Sequence, residues 1–291
     1  MKSWLYLSLG CAFFTALAAA FSKLLLRKNN IYFVGWIRFL VSAPILFAVV
    51  VALRPSFSVL PGFWKTVAIL LPFELAAFLL YLEALKVSPL SLTFPLLGFT
   101  PVFSVLASFL VLREKLSAWG IGGVALVTLG AYLLNADTLK YGALQPIKSI
   151  YKEKGSLLMF VVAFIYGITS SLGKRAVLLS NPLAFPALYY AIFFFVLLPL
   201  VLIKRREIMP LLDRRDILLS LALGISFALA ILLHFKAISL VKVSYMVSAK
   251  RLSLLISVAL GAIVFKEKNI GFRFLGASVM IAGVLVLSLW G

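Results

Sequence analysis

Residues 84–134 read ALKVSPLSLTFPLLGFTPVFSVLASFLVLREKLSAWGIGGVALVTLGAYLL, and residues 237–287 read AISLVKVSYMVSAKRLSLLISVALGAIVFKEKNIGFRFLGASVMIAGVLVL. Laid together, Ala84 meets Ala237, Ser91 meets Ser244, Ser104 meets Ser257, and Glu114-Lys115 meets Glu267-Lys268. Gly123 and Gly130 fall on Gly276 and Gly283. Upstream, AFFTALAAAFSKLLL (12–26) lies over AFIYGITSSLGKRAV (163–177), so that Ala12, Phe13 and Lys23 meet Ala163, Phe164 and Lys174. The chain is therefore read as two copies of one unit, 1–135 and 156–291, joined by a connecting loop at 136–155.

Each copy carries five apolar runs of about 20 residues, long enough to cross a ~30 Å hydrocarbon core as helices. The spans are expected near 4–26, 32–53, 63–86, 90–112, 117–135, 156–178, 183–203, 216–238, 242–264 and 270–290. Turn and charge signals separate them, among them RKNN (27–30), RPSFSVLPG (54–62) and LSNP (179–182). Of the 291 residues, 64% are hydrophobic and 13% charged, and the mean hydropathy is +1.14. This balance is that of an all-α integral membrane protein, not of a soluble domain. An odd number of spans per unit turns the second copy upside down relative to the first, provided that the loop 136–155 does not cross the bilayer. Ten transmembrane helices in two inverted five-helix repeats form the architecture of alternating-access transporters, with substrate held near the midplane between the halves.

The formal net charge is +19, but the 28 Lys and Arg are scattered between apolar runs as in membrane loops, so no nucleic-acid partner is expected. One cysteine, Cys11, excludes an internal disulfide and a cysteine metal cluster. A single histidine and scattered acids give neither metal-ligand spacing nor a catalytic constellation, so no metal, cofactor or enzymatic activity is expected. The phosphate-cradling motif Gly-x-x-x-x-Gly-Lys-Ser/Thr is absent, which argues against ATP as the driver within this chain. The amino-terminal run resembles a secretory signal but continues to Leu26 and closes on Arg27-Lys28, which suits a retained span.

Charges inside the spans mark the candidate site. Lys250 and Arg251 stand side by side within SYMVSAKRLSLLIS (244–257). Each costs about 2.5–3.5 kcal/mol at a helix centre, so both should face protein or water. On a continuous helix Lys250 shares a stripe with Met246, Ser253, Ser257 and Gly261, and Arg251 with Ser244 and Ser248. The matching positions in the first copy are Leu97 and Gly98, between Pro95 and Pro101, which should bend or open that span. One half thus supplies cations and the other an irregular wall. Glu74 lies midway along the third span and Arg38 within the second; Glu74 either neutralises Arg38 or Lys250 or accepts a coupling proton. His234, opposite Tyr81 in the repeat alignment, either relays protons or hydrogen-bonds a neighbour. Tyr81, Tyr190, Trp36 and Tyr245, with Tyr166 and Tyr189, are candidate cavity rings or interfacial anchors. Glu83 and Lys86 are expected near a membrane surface.

Segments 84–134 and 237–287 resemble the EamA repeat of the drug/metabolite transporter superfamily. The features are an Ala-Leu or Ala-Ile pair, a Ser- or Pro-bearing span, a Glu at its exit, and a closing helix with glycines seven apart. The resemblance implies ten helices, both termini cytosolic, and a secondary transporter of small polar metabolites in the cell membrane. The adjacent Lys250 and Arg251 resemble the phosphate-gripping pair of plastid sugar-phosphate translocators and point to an anionic or carboxylate-bearing substrate: an amino acid, organic acid or other anionic metabolite, with export the leading direction. Loop charges oppose this orientation over the whole chain but support it in the first half. The expected partners are the small molecule, the lipid bilayer and a coupling proton, in a monomer or a homodimer. The alternative is a flippase for a lipid-linked phosphate or sugar in the same fold.

Overall fold

The computed structural model describes residues 3–56, 58–134, 153–203, 213–257, 259 and 271–291. Helices dominate, and no strand occurs among the described residues. In the first half they are α1 (Ser3–Leu26), α2 (Ile31–Leu53), α3 (Phe63–Val87), a short α4 (Leu90–Thr93), a 3₁₀ segment (Phe94–Phe99), α5 (Thr100–Leu112) and α6 (Ala118–Leu133). The second half contains α7 (Lys154–Leu178), α8 (Ala184–Ile203), α9 (Arg214–Leu240), α10 (Val243–Lys250) and α11 (Gly271–Trp290). Seven stretches are long and apolar enough to cross a bilayer, while Ala118–Leu133 and Leu275–Trp290 are shorter apolar helices. Of the expected ninth span, 242–264, the structure describes the part up to residue 257 and residue 259. The Glu267-Lys268 match, Gly261 and most of the 136–155 loop lie outside the described residues.

Polar residues set several helix starts. Asn30 accepts from the Tyr32 N–H, Ser117 from Gly120, Asp213 from Asp216, and Glu153 from Gly155 and Ser156. Each satisfies an N–H that has no partner within its own helix. Glu153 also accepts from the Ser88 hydroxyl. Burial pushes the Glu153 carboxyl up, but the hydrogen bonds from Ser156, Ser88 and Gly155 outweigh it and hold the group below its usual range.

The two copies interlock instead of standing apart. The most extensive helix pairs, α6 with α11, α1 with α9, and α3 with α7, each join one half to the other, and the last two are related by the repeat. Paired glycines bring α6 and α11 together. A Cβ on Gly130 would lie 2.6 Å from the Gly276 carbonyl, and one on Gly276 would lie 2.6 Å from that of Gly130. Only a bare backbone permits this approach.

The fourth span of each copy is broken at matching positions of the repeat. In the first copy, Pro95 and Pro101 lack N–H groups and the chain tightens to 3₁₀ over Phe94–Phe99. In the second, α10 ends at Lys250 and three i→i−3 bonds follow: Leu252 N to Ala249 O at 3.1 Å, Leu254 N to Arg251 O at 2.9 Å, and Leu255 N to Leu252 O at 3.1 Å. The expectation of one irregular and one regular copy is thus corrected. The continuous stripe drawn from Lys250 through Ser253 and Ser257 also fails, because the helical register is lost at Arg251-Leu252.

Candidate functional site

The two breaks face a cavity with about 1100 Å³ of empty space, including its open mouth. Every element around it has its repeat counterpart: α1 with α7, α2 with α8, α3 with α9, and the 3₁₀ segment with α10. The site therefore sits where the halves meet.

Seven of the nine candidates line it: Arg38, Glu74, Tyr81, Tyr190, His234, Lys250 and Arg251. Tyr166 and Tyr189 join them. Trp36 and Tyr245 do not. The Trp36 ring stacks on Phe194 at 5.4 Å, and Tyr245 belongs to a separate apolar cluster with Val124 and Leu287 and covers the Gly120 backbone. Both placements follow from helix rotation, which aromatic identity alone does not reveal.

The charges are distributed unevenly about the repeat. Glu74 stands opposite Phe227, Arg38 opposite Tyr189, and Lys250 opposite Leu97, and all six line the cavity. Arg251 stands opposite Gly98, where a Cβ would come within 2.0 Å of the Ala131 side chain. The first copy has no room for a side chain at that point. Each charge thus faces an uncharged counterpart, which places one carboxylate and three cations around a single space.

Arg38 is held in a defined pose. Its Nη2 donates to Ser22 Oγ at 2.6 Å, and its guanidinium carbon lies 4.9 Å from the ring centres of both Phe78 and Phe227. The Ser22 hydroxyl in turn donates to the Ala18 carbonyl at 2.6 Å. Two aromatic faces offset part of the cost of burying the cation. Arg38 Nε and Arg251 Nε have no hydrogen-bond partner among the described residues. The ion pairs found there are Lys28 with Asp213 and Asp216, Lys154 with Glu83, and Lys174 with Glu114. Glu74 is not in one, so of its two alternative roles the neutralising pair with Arg38 or Lys250 is not seen among the described residues. His234 Nδ1 is also unpartnered, and its ring stands edge-on to Phe235 at 4.9 Å. Thr15, Thr169 and Ser170 add hydroxyls to the walls. Sequence reasoning had not singled out these three, Ser22 or Phe227; the repeat alignment would have found Phe227 as the counterpart of Glu74.

A family model described as the EamA-like transporter family matches residues 2–136 and again 153–289. The chain belongs to the EamA-like transporter family. It is accordingly a multi-pass integral membrane protein built of two EamA repeats, a membrane transporter of the drug/metabolite transporter superfamily working on a small molecule in a lipid bilayer. Nothing among curated proteins matches it significantly. A protein crystal structure with 16% sequence identity superposes with a TM-score of 0.72, covering 98% of this chain and 96% of that one. At that identity the likeness shows an EamA-like chain sharing a fold with a solved protein, and nothing of its cargo.

Proposed function

We propose that this chain is a secondary-active transporter that moves a small anionic or carboxylate-bearing metabolite across the cell membrane by alternating access. Arg38, Lys250 and Arg251 bind the anionic group, and Glu74 meets a proton or the substrate's cationic or hydroxyl-bearing part. One observation carries the reading: three cations without an ion-pair partner among the described residues surround one cavity between the repeats. Unpaired cations in a low-dielectric space are expensive, and an anionic ligand offsets that cost. Arg offers a fork to an oxyanion and Lys a point charge.

In this account the seven membrane-length stretches, the two shorter apolar helices and the broken ninth span make ten crossings. Five per repeat inverts the second half, and ten in all put both termini on one face of the membrane, taken as the cytosolic face from the family resemblance, with 1–135 and 156–291 as the two units. Helices broken at mid-membrane are where such transporters hold substrate, because the freed backbone lines a cavity instead of lipid.

A flippase would need a side opening to lipid. Among the described residues, an apolar groove between α2 and α8, lined by Ala43, Ala187 and Ala191, is a candidate for one, and Phe39 lines both it and the cavity. Phe39 is fully buried and stacks on Tyr190 at 5.6 Å, with Phe78, Phe193 and Phe227 around it. This aromatic wall between groove and cavity favours a water-borne substrate.

The test is a thermal-shift screen of the detergent-purified chain against amino acids, organic acids, sugar phosphates and cationic drugs, repeated on Arg251→Ala. A ligand that binds the folded state raises its apparent stability. An anion that stabilises the wild type and not the variant supports the reading. Stabilisation by cations alone, or an anion effect that survives the substitution, overturns the site assignment.

A further inference from the structure

One end of the cavity abuts a buried ion pair that joins the two repeats. Gly173 and Ser170 line the cavity, and Lys174 follows Gly173, one helical turn beyond Ser170 on α7. Lys174 Nζ donates to Glu114 Oε1 at 2.6 Å and to the Val241 carbonyl at 2.7 Å. Glu114 Oε2 accepts from the Val243 N–H at 2.9 Å. Glu114 lies just past α5 in the first repeat, whereas Lys174, Val241 and Val243 belong to the second. A single carboxylate therefore reaches across the boundary between repeats and ties down two elements of the other half.

The other ion pairs among the described residues are of a different kind. Lys28 and Lys154 are 60% and 70% exposed, so water and salt screen their pairs. The side chains of Lys174 and Glu114 are each 11% exposed, and separating them leaves two buried charges without partners. The pair also connects to the cations of the cavity. Val243 opens α10 and Lys250 closes it, so this eight-residue helix carries the contact with Glu114 at one end and a cation at the other. A ligand that draws Lys250 and Arg251 inward moves the helix whose first N–H Glu114 holds.

We propose that Glu114 and Lys174 form an inter-repeat latch that shuts this end of the cavity and must part before solute passes through it. The latch is released through α10 when Lys250 and Arg251 engage an anion. This inference rests on the alternating-access reading above.

The test uses the full chain in detergent, with Cys11 replaced by serine and Ser170→Cys as reporter, and follows labelling by a water-soluble maleimide. With the latch intact, reagent reaches this position by way of the cavity's mouth and past the cations, and labelling is slow. Glu114→Gln should accelerate it by about tenfold, as expected when a buried pair that biases a two-state equilibrium is lost. Lys174→Arg keeps the pair and should remain slow. Where Glu114→Gln does not yield folded protein, Val243→Pro removes the third contact and leaves Glu114 and Lys174 in place, at the cost of repacking a buried side chain. Proline is tolerated at a first helical position, and Lys242 already has φ −56° and ψ 143°, which suit the residue before a proline. It should accelerate labelling severalfold. Wild-type labelling rates in a folded variant of either kind overturn the latch. The transport reading fails separately, by loss of the anion-dependent thermal shift in the wild-type chain.

Discussion

Replacing Lys250 by methionine should make the empty protein more stable and at the same time unable to hold an anion. A lysine near the centre of a membrane helix costs about 2.5–3.5 kcal/mol, and methionine of similar length removes that cost. Lys250 has no carboxylate within ion-pair distance among the described residues, and it is partly exposed to the cavity. Cavity water recovers some of the cost, which leaves about 1–2 kcal/mol to be gained. At roughly 2–4 °C per kcal/mol for a chain of this size, the melting temperature should rise by about 2–8 °C. The sign is decisive. Were Lys250 one half of a structural pair with Glu74, its removal would strand the carboxylate and destabilise the fold by about 3–5 kcal/mol. Thermal unfolding of the two proteins in one detergent, with and without the stabilising anion, reads both effects. A lower melting temperature for the variant without ligand would refute the reasoning, because it would show that Lys250 neutralises its surroundings in the resting protein.

Two further outcomes follow from the fold. Gly130→Val forces a side chain against the Gly276 carbonyl and Met280, so α6 and α11 must separate at a cost of about 1–3 kcal/mol, seen as lower yield and melting temperature. Gly122→Ala, where nothing lies within 4 Å, should lower neither. Glu153, held below its ordinary value of 4.5, stabilises the start of α7 fully above that pH, and the contribution is lost as pH falls through the group's lower folded value. Thermal stability of the wild type should therefore fall towards that of Glu153→Gln as the pH is taken well below 4.5, with the two furthest apart near neutrality.

The repeat was legible because residues that cannot be exchanged freely recur at nearly the same offset: Lys23 with Lys174, 151 residues apart, in the first spans, and Gly123 and Gly130 with Gly276 and Gly283, 153 apart, in the last. The cavity charges were legible for a related reason. In a lipid-suited run a Lys, Arg or Glu must face inward, so burial cost alone orients Arg38, Glu74, Lys250 and Arg251. Aromatic rings carry no such constraint. Tyr190 faces the cavity and Tyr245 a dry cluster, although both sit in apolar runs of similar composition. The break after Lys250 had no proline to announce it, unlike that at Pro95, and only the three-dimensional path shows that the two copies bend at the same place. Lys174 was visible as a repeated lysine, but its partner Glu114 lies 60 residues away in the other half, a pairing no local pattern specifies.

The central claim is that the cavity between the repeats is exposed to the two membrane faces in turn. Counterflow in proteoliposomes tests it most directly: vesicles preloaded with the unlabelled stabilising anion are given the labelled form outside. Transient accumulation of label above equilibrium, abolished in Lys250→Met, is the predicted result. Label that only equilibrates, at a rate indifferent to the anion inside, would mean a continuous pore and contradict the account.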